Sequence, residues 1–213
     1  MSYLKRIALH ILERDKLKMT RVANIIRNTL ETQITLTLTI DEQSPISVDT
    51  GIGYVDHMLT LFAKHGRFGL QVKVTGDLTV DSHHTTEDIG IALGEAFTQA
   101  LGDKTGIDRY GAQFVPMDET LSRAVVDLSG RAYLVFVAEL TTPVLGTFET
   151  EVVEDFWQGF ADQAHANVHI EVLYGRNTHH KIESIFKAMG RAMRQAVTIN
   201  PEIKGVNSTK GVI

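Results

Sequence analysis

The sequence predicts an α+β fold of two duplicated half-domains, each a mixed β-sheet with helices packed on one face, fused into one compact unit. Three observations predict it: a histidine motif that occurs twice, apolar alternation that repeats beside it, and no Pro/Gly/Ser-rich linker between the copies. The predicted limits are an N-terminal extension over 1–20, a first half over 21–106 and a second half over 107–213.

Residues 1–18 have an apolar helical stripe and basic residues elsewhere, which predicts a short amphipathic helix. This segment lacks the long apolar region and cleavage site of a secretory signal, and Glu13 and Asp15 are atypical of an organelle transit peptide. We interpret it as a packing or dispensable extension before a second possible start at Met19. No apolar run approaches the roughly 20 residues that cross a bilayer. We therefore expect a soluble, cytoplasmic protein without a membrane partner.

The first clear strand covers residues 34–40, where Ile and Leu alternate with Thr, the pattern of a strand with one buried face. A second alternation at 70–74 recurs at 168–172 after a shift of 98 positions (168 − 70). Strand-like stretches at 124–128 and 132–138 belong to the second half. The repeat therefore includes strands.

The repeated motif consists of two adjacent histidines with a glutamate four residues after the first. After a shift of 96 positions (179 − 83), the second copy matches the first: His83, His84 and Glu87 meet His179, His180 and Glu183. Apolar residues at helical spacing follow in both copies, so each helix has a face for its sheet. One motif is weak evidence because paired histidines also occur as caps or surface residues, but two matched copies favour a functional site.

Composition limits the chemistry of such a site. The chain has no cysteine, so a bound metal must be held by imidazole and carboxylate groups, which favours manganese, iron or zinc. The net charge of −5 and the pI near 6.0 argue against a nucleic-acid partner, although a small anionic substrate needs only a local basic pocket.

Helix geometry suggests how the motif would hold metals. Residues four apart share a helix face, so each first histidine and its glutamate can bind one ion. The second histidine points about 100° away around the axis, so each pair should serve two different ions. The 98-residue shift also aligns His57 with Asp155, and we predict that these two are outer ligands of the two sites. His65, His165 and His169 lack counterparts, which favours core or supporting roles.

At this point the sequence resembles the imidazoleglycerol-phosphate dehydratase family over 21–213. The motifs that carry the resemblance are Arg27-Asn28-Thr29-Leu30-Glu31-Thr32, Asp56-His57-Met58-Leu59, His65-Gly66, His83-His84-Thr85-Thr86-Glu87-Asp88, Pro116-Met117-Asp118-Glu119, His179-His180-Lys181-Ile182-Glu183 and Ser208-Thr209-Lys210-Gly211. The resemblance implies two Mn²⁺ ions per active site and a large homo-oligomer, typically of 24 copies, with active sites between subunits.

The resemblance also implies the roles of individual residues. One ion would take His57, His84, His179 and Glu183, and the other His83, Glu87, His180 and position 155. The family usually has histidine at that position, whereas this chain has Asp155, whose shorter, charged side chain puts the second ion's occupancy in question. Glu31 would be the acid–base residue. Substrate and phosphate contacts would come from Glu31, His65, Arg109, Arg131, Lys187, Ser208, Thr209 and Lys210.

The implied reaction converts imidazole glycerol phosphate to imidazole acetol phosphate in histidine biosynthesis. The proton lost from carbon has no neighbouring carbonyl to acidify it, so an unaided general base would not suffice. A metal-bound imidazolate can instead expel the adjacent hydroxyl through a diazafulvene-like intermediate. Two alternatives stay open here: a two-metal phosphatase or hydrolase, and an assembly protein in which the ions only join subunits.

Overall fold

The structure, a computed structural model, describes residues 20–213. The helix predicted within residues 1–18 therefore lies outside the described residues. In the described part of the chain, no helix is both long and apolar enough to span a bilayer. The first half contains, in order, β1 (Val22–Asn28), β2 (Thr32–Thr39), β3 (Ile46–Asp49), α1 (Gly53–Gly66), β4 (Gly69–Gly76) and α2 (His83–Leu101).

The second half repeats this order and adds one short hairpin. Its elements are β5 (Tyr110–Met117), β6 (Thr120–Asp127), β7 (Tyr133–Val137), the hairpin strands β8 (Val144–Leu145) and β9 (Phe148–Glu149), α3 (Val152–Ala164), β10 (Asn167–Tyr174) and α4 (Thr178–Ala196). Strand order is β1-β2-β4-β3 in one sheet and β5-β6-β10-β7 in the other. In each sheet only the last pair is parallel. The predicted duplicated α+β fold is confirmed.

The predicted strand alternation determines how the first sheet meets the core. Ile34, Leu36 and Leu38 on β2 are each at most 2% exposed, and they lie opposite Val74, Val72 and Leu70 of β4. A slip of one residue would turn this entire apolar set to the other face. The register is therefore fixed by burial.

The four helices form a shared layer in which each half packs against the other. Helix α2 crosses α3, and α4 crosses α1, at glycines. A Cβ atom on Gly94 would lie 2.5 Å from the Phe160 carbonyl oxygen, and one on Gly190 would lie 2.4 Å from that of Phe62. Both crossings therefore need glycine, because any side chain would force the helices apart. The close helix contacts follow the same duplication as the sequence.

The hairpin formed by β8 and β9 has no counterpart among the described residues of the first half. Phe148, which is buried, stacks on Tyr54 of α1 with ring centroids 5.1 Å apart. Glu149 accepts a hydrogen bond from the hydroxyl of Ser82, the residue before α2. This hairpin therefore ties the second half to the beginnings of both helices of the first.

Candidate active site

Helices α2 and α4 present the repeated histidines in their first turns. The carboxylate of Asp81 accepts a hydrogen bond from the backbone N–H of His83 at 2.8 Å. In α4 the Asn177 side chain accepts from the backbone N–H groups of His179 and His180 at 2.9 and 3.3 Å. These local caps satisfy N–H groups that a helix start leaves unpaired, so they fix where each histidine pair projects.

One potential metal site is assembled from α1 and α4. His57, His179 and Glu183 offer ligand atoms that all lie within 4.8 Å of one another, and within residues 20–213 no other trio of such side chains meets this condition. The Glu183 carboxylate lies 3.5 Å from Nε2 of His57 and 3.2 Å from Nε2 of His179. The crossing of α4 over α1 brings these residues together. The set contains three of the four ligands predicted for the first ion.

Glu183 is buried but its environment keeps it ionised. Burial by itself would raise the pKa of this carboxyl, but the hydrogen bond and charge of Lys187, the hydrogen bond from His179 and the charge of His57 lower the pKa overall. The Lys187 Nζ atom lies 2.5 Å from the second carboxylate oxygen, one turn along the same helix. The ionised form is the one that binds a cation.

His84, the fourth ligand predicted for that ion, is not part of this trio. Its Nδ1 lies 2.9 Å from the Asp77 carboxylate, and its Nε2 lies 3.9 Å from the Glu31 carboxylate. The hydrogen bond with Asp77 and the nearby charge of Glu31 raise the pKa of His84, outweighing its partial desolvation. A carboxylate can only accept, so Nδ1–H donates to Asp77 and Nε2 faces Glu31.

His180 has an equivalent arrangement in the second half. Its Nδ1 lies 2.8 Å from the Glu119 carboxylate, and its Nε2 lies 3.9 Å from that of Asp118. Glu119 also accepts from the backbone N–H groups of Arg176 and Asn177 at 3.0 and 2.7 Å. Its hydrogen bond with His180, followed by these two, holds the pKa of Glu119 well below its usual range. Glu119 therefore fixes the ring of His180.

Of the residues predicted for the second ion, only His83 and Glu87 are seen to approach each other within residues 20–213, and they form no trio. His83 Nε2 and the Glu87 carboxylate lie 3.9 Å apart, one helical turn from each other. Asp155 lies one turn before Gly159 in α3, and a Cβ at Gly159 would be 3.1 Å from the Glu87 carbonyl oxygen. This contact puts Asp155 at the same end of the helix pair as His83. His180 lies against Glu119 instead.

A basic cavity of about 450 Å³ joins most of the predicted phosphate residues. Arg109, Arg131, Ser208, Thr209 and Lys210 all line it. Arg109 donates two hydrogen bonds to Asp127, at 2.6 and 2.9 Å, and a third to the Asn207 carbonyl at 2.9 Å. The hydrogen bonds with Asp127 raise the pKa of this guanidinium. Arg109 thus secures the C-terminal segment that carries Ser208 to Lys210.

The three other predicted substrate residues lie elsewhere, with Glu31 beside His84 as described above. Lys187 pairs with Glu183, as described above. His65 lines a separate basic cavity of about 380 Å³ that also includes Lys64, Arg67 and Arg191. Burial, with the charges of Lys187 and Arg191, lowers the pKa of His65. A neutral imidazole at this position can either donate or accept a hydrogen bond.

Sequence reasoning missed the carboxylates that orient the histidines. Asp77 follows β4 and has no repeated counterpart, so nothing in the sequence distinguishes it from a turn residue. Glu119 had a detectable signal, because it precedes Thr120 as Glu31 precedes Thr32, at a shift of 88 positions (119 − 31). Both threonines are buried and begin equivalent strands. Glu31 and Glu119 are therefore equivalent residues of the two halves.

Comparisons with known proteins agree with this architecture. The family model for imidazoleglycerol-phosphate dehydratase matches residues 50–193. The imidazoleglycerol-phosphate dehydratase of Leuconostoc mesenteroides is 85% identical, over 92% of this chain and 100% of the relative. That of Lactiplantibacillus plantarum is 69% identical, over 91% and 100%.

Solved structures give the same result. The crystal structure of imidazoleglycerol-phosphate dehydratase from Staphylococcus aureus superposes with a TM-score of 0.77 at 43% identity, covering 84% of this chain and 99% of that one. The structure of IGPD from Pyrococcus furiosus in complex with (S)-C348 has a TM-score of 0.77 at 33% identity, covering 89% and 100%.

The duplicated fold, the paired histidine helices and these matches together define a hydro-lyase. The chain belongs to the imidazoleglycerol-phosphate dehydratase family. Membership favours this class over the two alternatives considered from the sequence, a two-metal hydrolase and a protein in which metal only joins subunits.

Proposed function

We propose that this chain removes water from imidazole glycerol phosphate to give imidazole acetol phosphate, as a step of histidine biosynthesis in the cytoplasm. The observation that carries the proposal is the meeting of His57, His179 and Glu183, contributed by two helices of different halves, in a chain of this family. Imidazole and carboxylate donors converging there suit a divalent cation.

The donor set supports two Mn²⁺ ions per active site. The ring Nδ1 atoms of His84 and His180 bond to carboxylates, which leaves both Nε2 atoms as candidate ligands, the usual second-shell arrangement around metal-bound histidine. One ion would be held by His57, His84, His179 and Glu183, and the other by His83, Glu87, His180 and Asp155. When bound, the ions act as Lewis acids that stabilise negative charge on the substrate's imidazole.

Glu31 is suited to move the proton. Its side chain is about half exposed, and among the described residues no hydrogen bond occupies its carboxylate. It lies 3.9 Å from His84 Nε2, beside a candidate metal ligand. A carboxylate held near the reacting carbon without a fixed partner can accept a proton and return it.

The basic residues would hold the phosphate and thereby orient the imidazole. Arg131, Ser208, Thr209 and Lys210 share a cavity with Arg109, whose guanidinium is held by Asp127. Guanidinium and ammonium groups supply charge-assisted hydrogen bonds to phosphate oxygens. We assign Lys187 and His65 to the same task from the side of the His57 cluster.

A neighbouring copy would complete the site. His84 is needed for the first ion but lies apart from the His57 trio within one chain. The outer face of the second sheet carries apolar side chains that are each more than half exposed: Tyr110, Phe114, Tyr133 and Val137. Exposed apolar patches of this kind favour association between proteins. We infer a large homo-oligomer, the 24-copy assembly implied by the family, with active sites between subunits.

The test is direct. The purified protein, supplied with Mn²⁺ and imidazole glycerol phosphate, should form an enolisable ketone, and a chelator should abolish its formation. A Glu31→Gln variant should bind Mn²⁺ normally and lose most, but not all, of its turnover. Absence of product, or product formation that a chelator leaves unchanged, would refute the proposal.

A further inference from the structure

A partly buried ion pair joins α2 to the hairpin that carries Glu31. Asp88, which is 7% exposed, accepts hydrogen bonds from Nε and Nη2 of Arg27 at 3.1 and 2.7 Å. Its other carboxylate oxygen accepts from the hydroxyl of Thr32, which is 1% exposed. Arg27 is near the end of β1 and Thr32 begins β2, so one carboxylate holds both sides of the β1–β2 turn. We call this set the Asp88 clamp.

Hydrogen bonds of Thr29 hold the backbone of the same turn. Thr29 donates its backbone N–H to the Thr32 carbonyl at 2.8 Å. Its hydroxyl oxygen accepts from the backbone N–H groups of Glu31 and Thr32 at 3.1 and 2.9 Å. The main chain at Glu31 is therefore fixed while its carboxylate remains unbonded among the described residues. Such a group is held in place without being neutralised.

Asp88 also has a defined relation to His84. It lies four residues later in α2, so both side chains leave the same face of the helix. His84 faces Glu31 and Asp88 grips the residues on either side of it. The clamp thus joins α2, which carries His84, to the turn that carries Glu31.

The equivalent helix position in the second half makes a neutral contact instead. The position equivalent to Asp88 is Ser184 (88 + 96), whose hydroxyl bonds to that of Ser122 on β6. Two serines are therefore sufficient to join helix and strand there. In that half the equivalent glutamate, Glu119, is bonded to His180. Among residues 20–213, the charged clamp occurs only beside the glutamate whose carboxylate has no hydrogen-bond partner.

We propose that Asp88 is a positioning residue for the dehydration, which holds Glu31 at its working distance from the His84 site through Arg27 and Thr32. The inference rests on the proposed function, in which Glu31 transfers the proton. Turnover would then require the Asp88 contacts in addition to correctly placed metal ligands. Loss of the clamp should impair the chemical step while leaving metal and substrate binding intact.

The first experiment compares Asp88→Asn with a matched control. Asp41→Asn is the control because Arg21 and Asp41 form a similar two-bond pair, at 3.0 and 2.7 Å, at the far end of the same two strands. In the assembled enzyme, Asp88→Asn should lower kcat on the order of 10- to 100-fold, the effect of a small misplacement of a reacting group. KM and Mn²⁺ stoichiometry should stay at wild-type values, and Asp41→Asn should keep wild-type kcat. Equal kcat values for the two variants would overturn the proposal.

The second experiment is a double-mutant cycle with Glu31→Gln. Asp88→Asn should add no further loss of kcat in the Glu31→Gln background, because the clamp is proposed to act only by positioning the Glu31 carboxylate. An equal loss in both backgrounds would refute the positioning role. Thr32→Val, which removes the hydroxyl and conserves volume, serves if Asp88→Asn does not fold. A Glu31→Gln enzyme with wild-type kcat would defeat the assignment of Glu31, whereas an inactive one beside a fully active Asp88→Asn would defeat only the clamp.

Discussion

Glu31 and Glu119 hold equivalent places in the two halves but have different surroundings. Glu119 bonds to His180 and to two backbone N–H groups, whereas in the first half Asp77 takes the corresponding ring nitrogen of His84. Glu31 is therefore left without a hydrogen-bond partner for its carboxylate among residues 20–213. Of the two equivalent glutamates, Glu119 thus orients a histidine, whereas Glu31 is the candidate acid–base residue.

At this scale the sequence predicted pairs within one helix and missed contacts between elements. The His83–Glu87 and His179–Glu183 pairs follow from helical spacing and occur in the structure. The bond between His180 and Glu119 depends on how the β5–β6 turn approaches α4, which no local pattern encodes. The ligand sets themselves stay a prediction.

Asp155 lies at the position predicted to complete the second ligand set. Replacing it with histidine should strengthen Mn²⁺ binding at the second site by about tenfold, or about 1.4 kcal/mol, because imidazole reaches farther toward His83 and Glu87. Manganese titration followed by electron paramagnetic resonance would measure it. Asp162→His, two turns farther along α3, is the control and should leave the titration unchanged. Identical curves for Asp155→His and the wild type would contradict the prediction.

At the scale of elements, strands with one apolar face were predictable, and so was the edge strand β7, but the edge strands β1, β3 and β5 were not. The alternation over 34–40 predicted a strand, and β2 covers Thr32–Thr39. In β1, Val22 and Ile26 lie on the outward face, with Ile26 75% exposed, so apolar residues on both faces hide the alternation. Helices α1 and α3 were not predicted as elements, although the alignment of His57 with Asp155 came from them. Their pairing with α4 and α2 depends on tertiary packing.

The crossing of α2 over α3 depends on the absence of a side chain at Gly94. Gly94→Ala should lower the free energy of unfolding by about 1–3 kcal/mol, because its Cβ would overlap the Phe160 carbonyl. Thermal unfolding of the assembled protein, at matched concentration, would measure the loss. Gly53→Ala at the start of α1 is the control, since a Cβ there meets nothing within 4 Å. Equal melting temperatures for the two variants would show that the crossing tolerates a side chain.

At the scale of the whole molecule, the sequence predicted the duplication but not how the copies interlock. A shift between repeats shows which residues correspond, and periodicity shows which face is buried. Neither shows that the partner of that face belongs to the other half. The boundary between residues 106 and 107 therefore remains a prediction, as does self-association.

Metal removal tests the proposed assembly. If a site takes ligands from two copies, each bound ion adds its binding free energy to the interface. Treatment with a chelator should shift the protein toward smaller species in sedimentation velocity, and added Mn²⁺ should reverse the shift. Mg²⁺, which dehydrates reluctantly and favours oxygen ligands, is the control and should restore less. An unchanged sedimentation profile after complete metal removal would show that the interface does not depend on the ion.

The interlocked helix layer has a historical consequence. Because α2 buries its glycine face on α3, and α4 buries its own on α1, a single half would expose both surfaces to water. A half-length ancestor with this fold would therefore have been stable only as a homodimer. Fusion of its gene converted an association that depended on concentration into a permanent one, after which each copy could accumulate changes that its twin did not share.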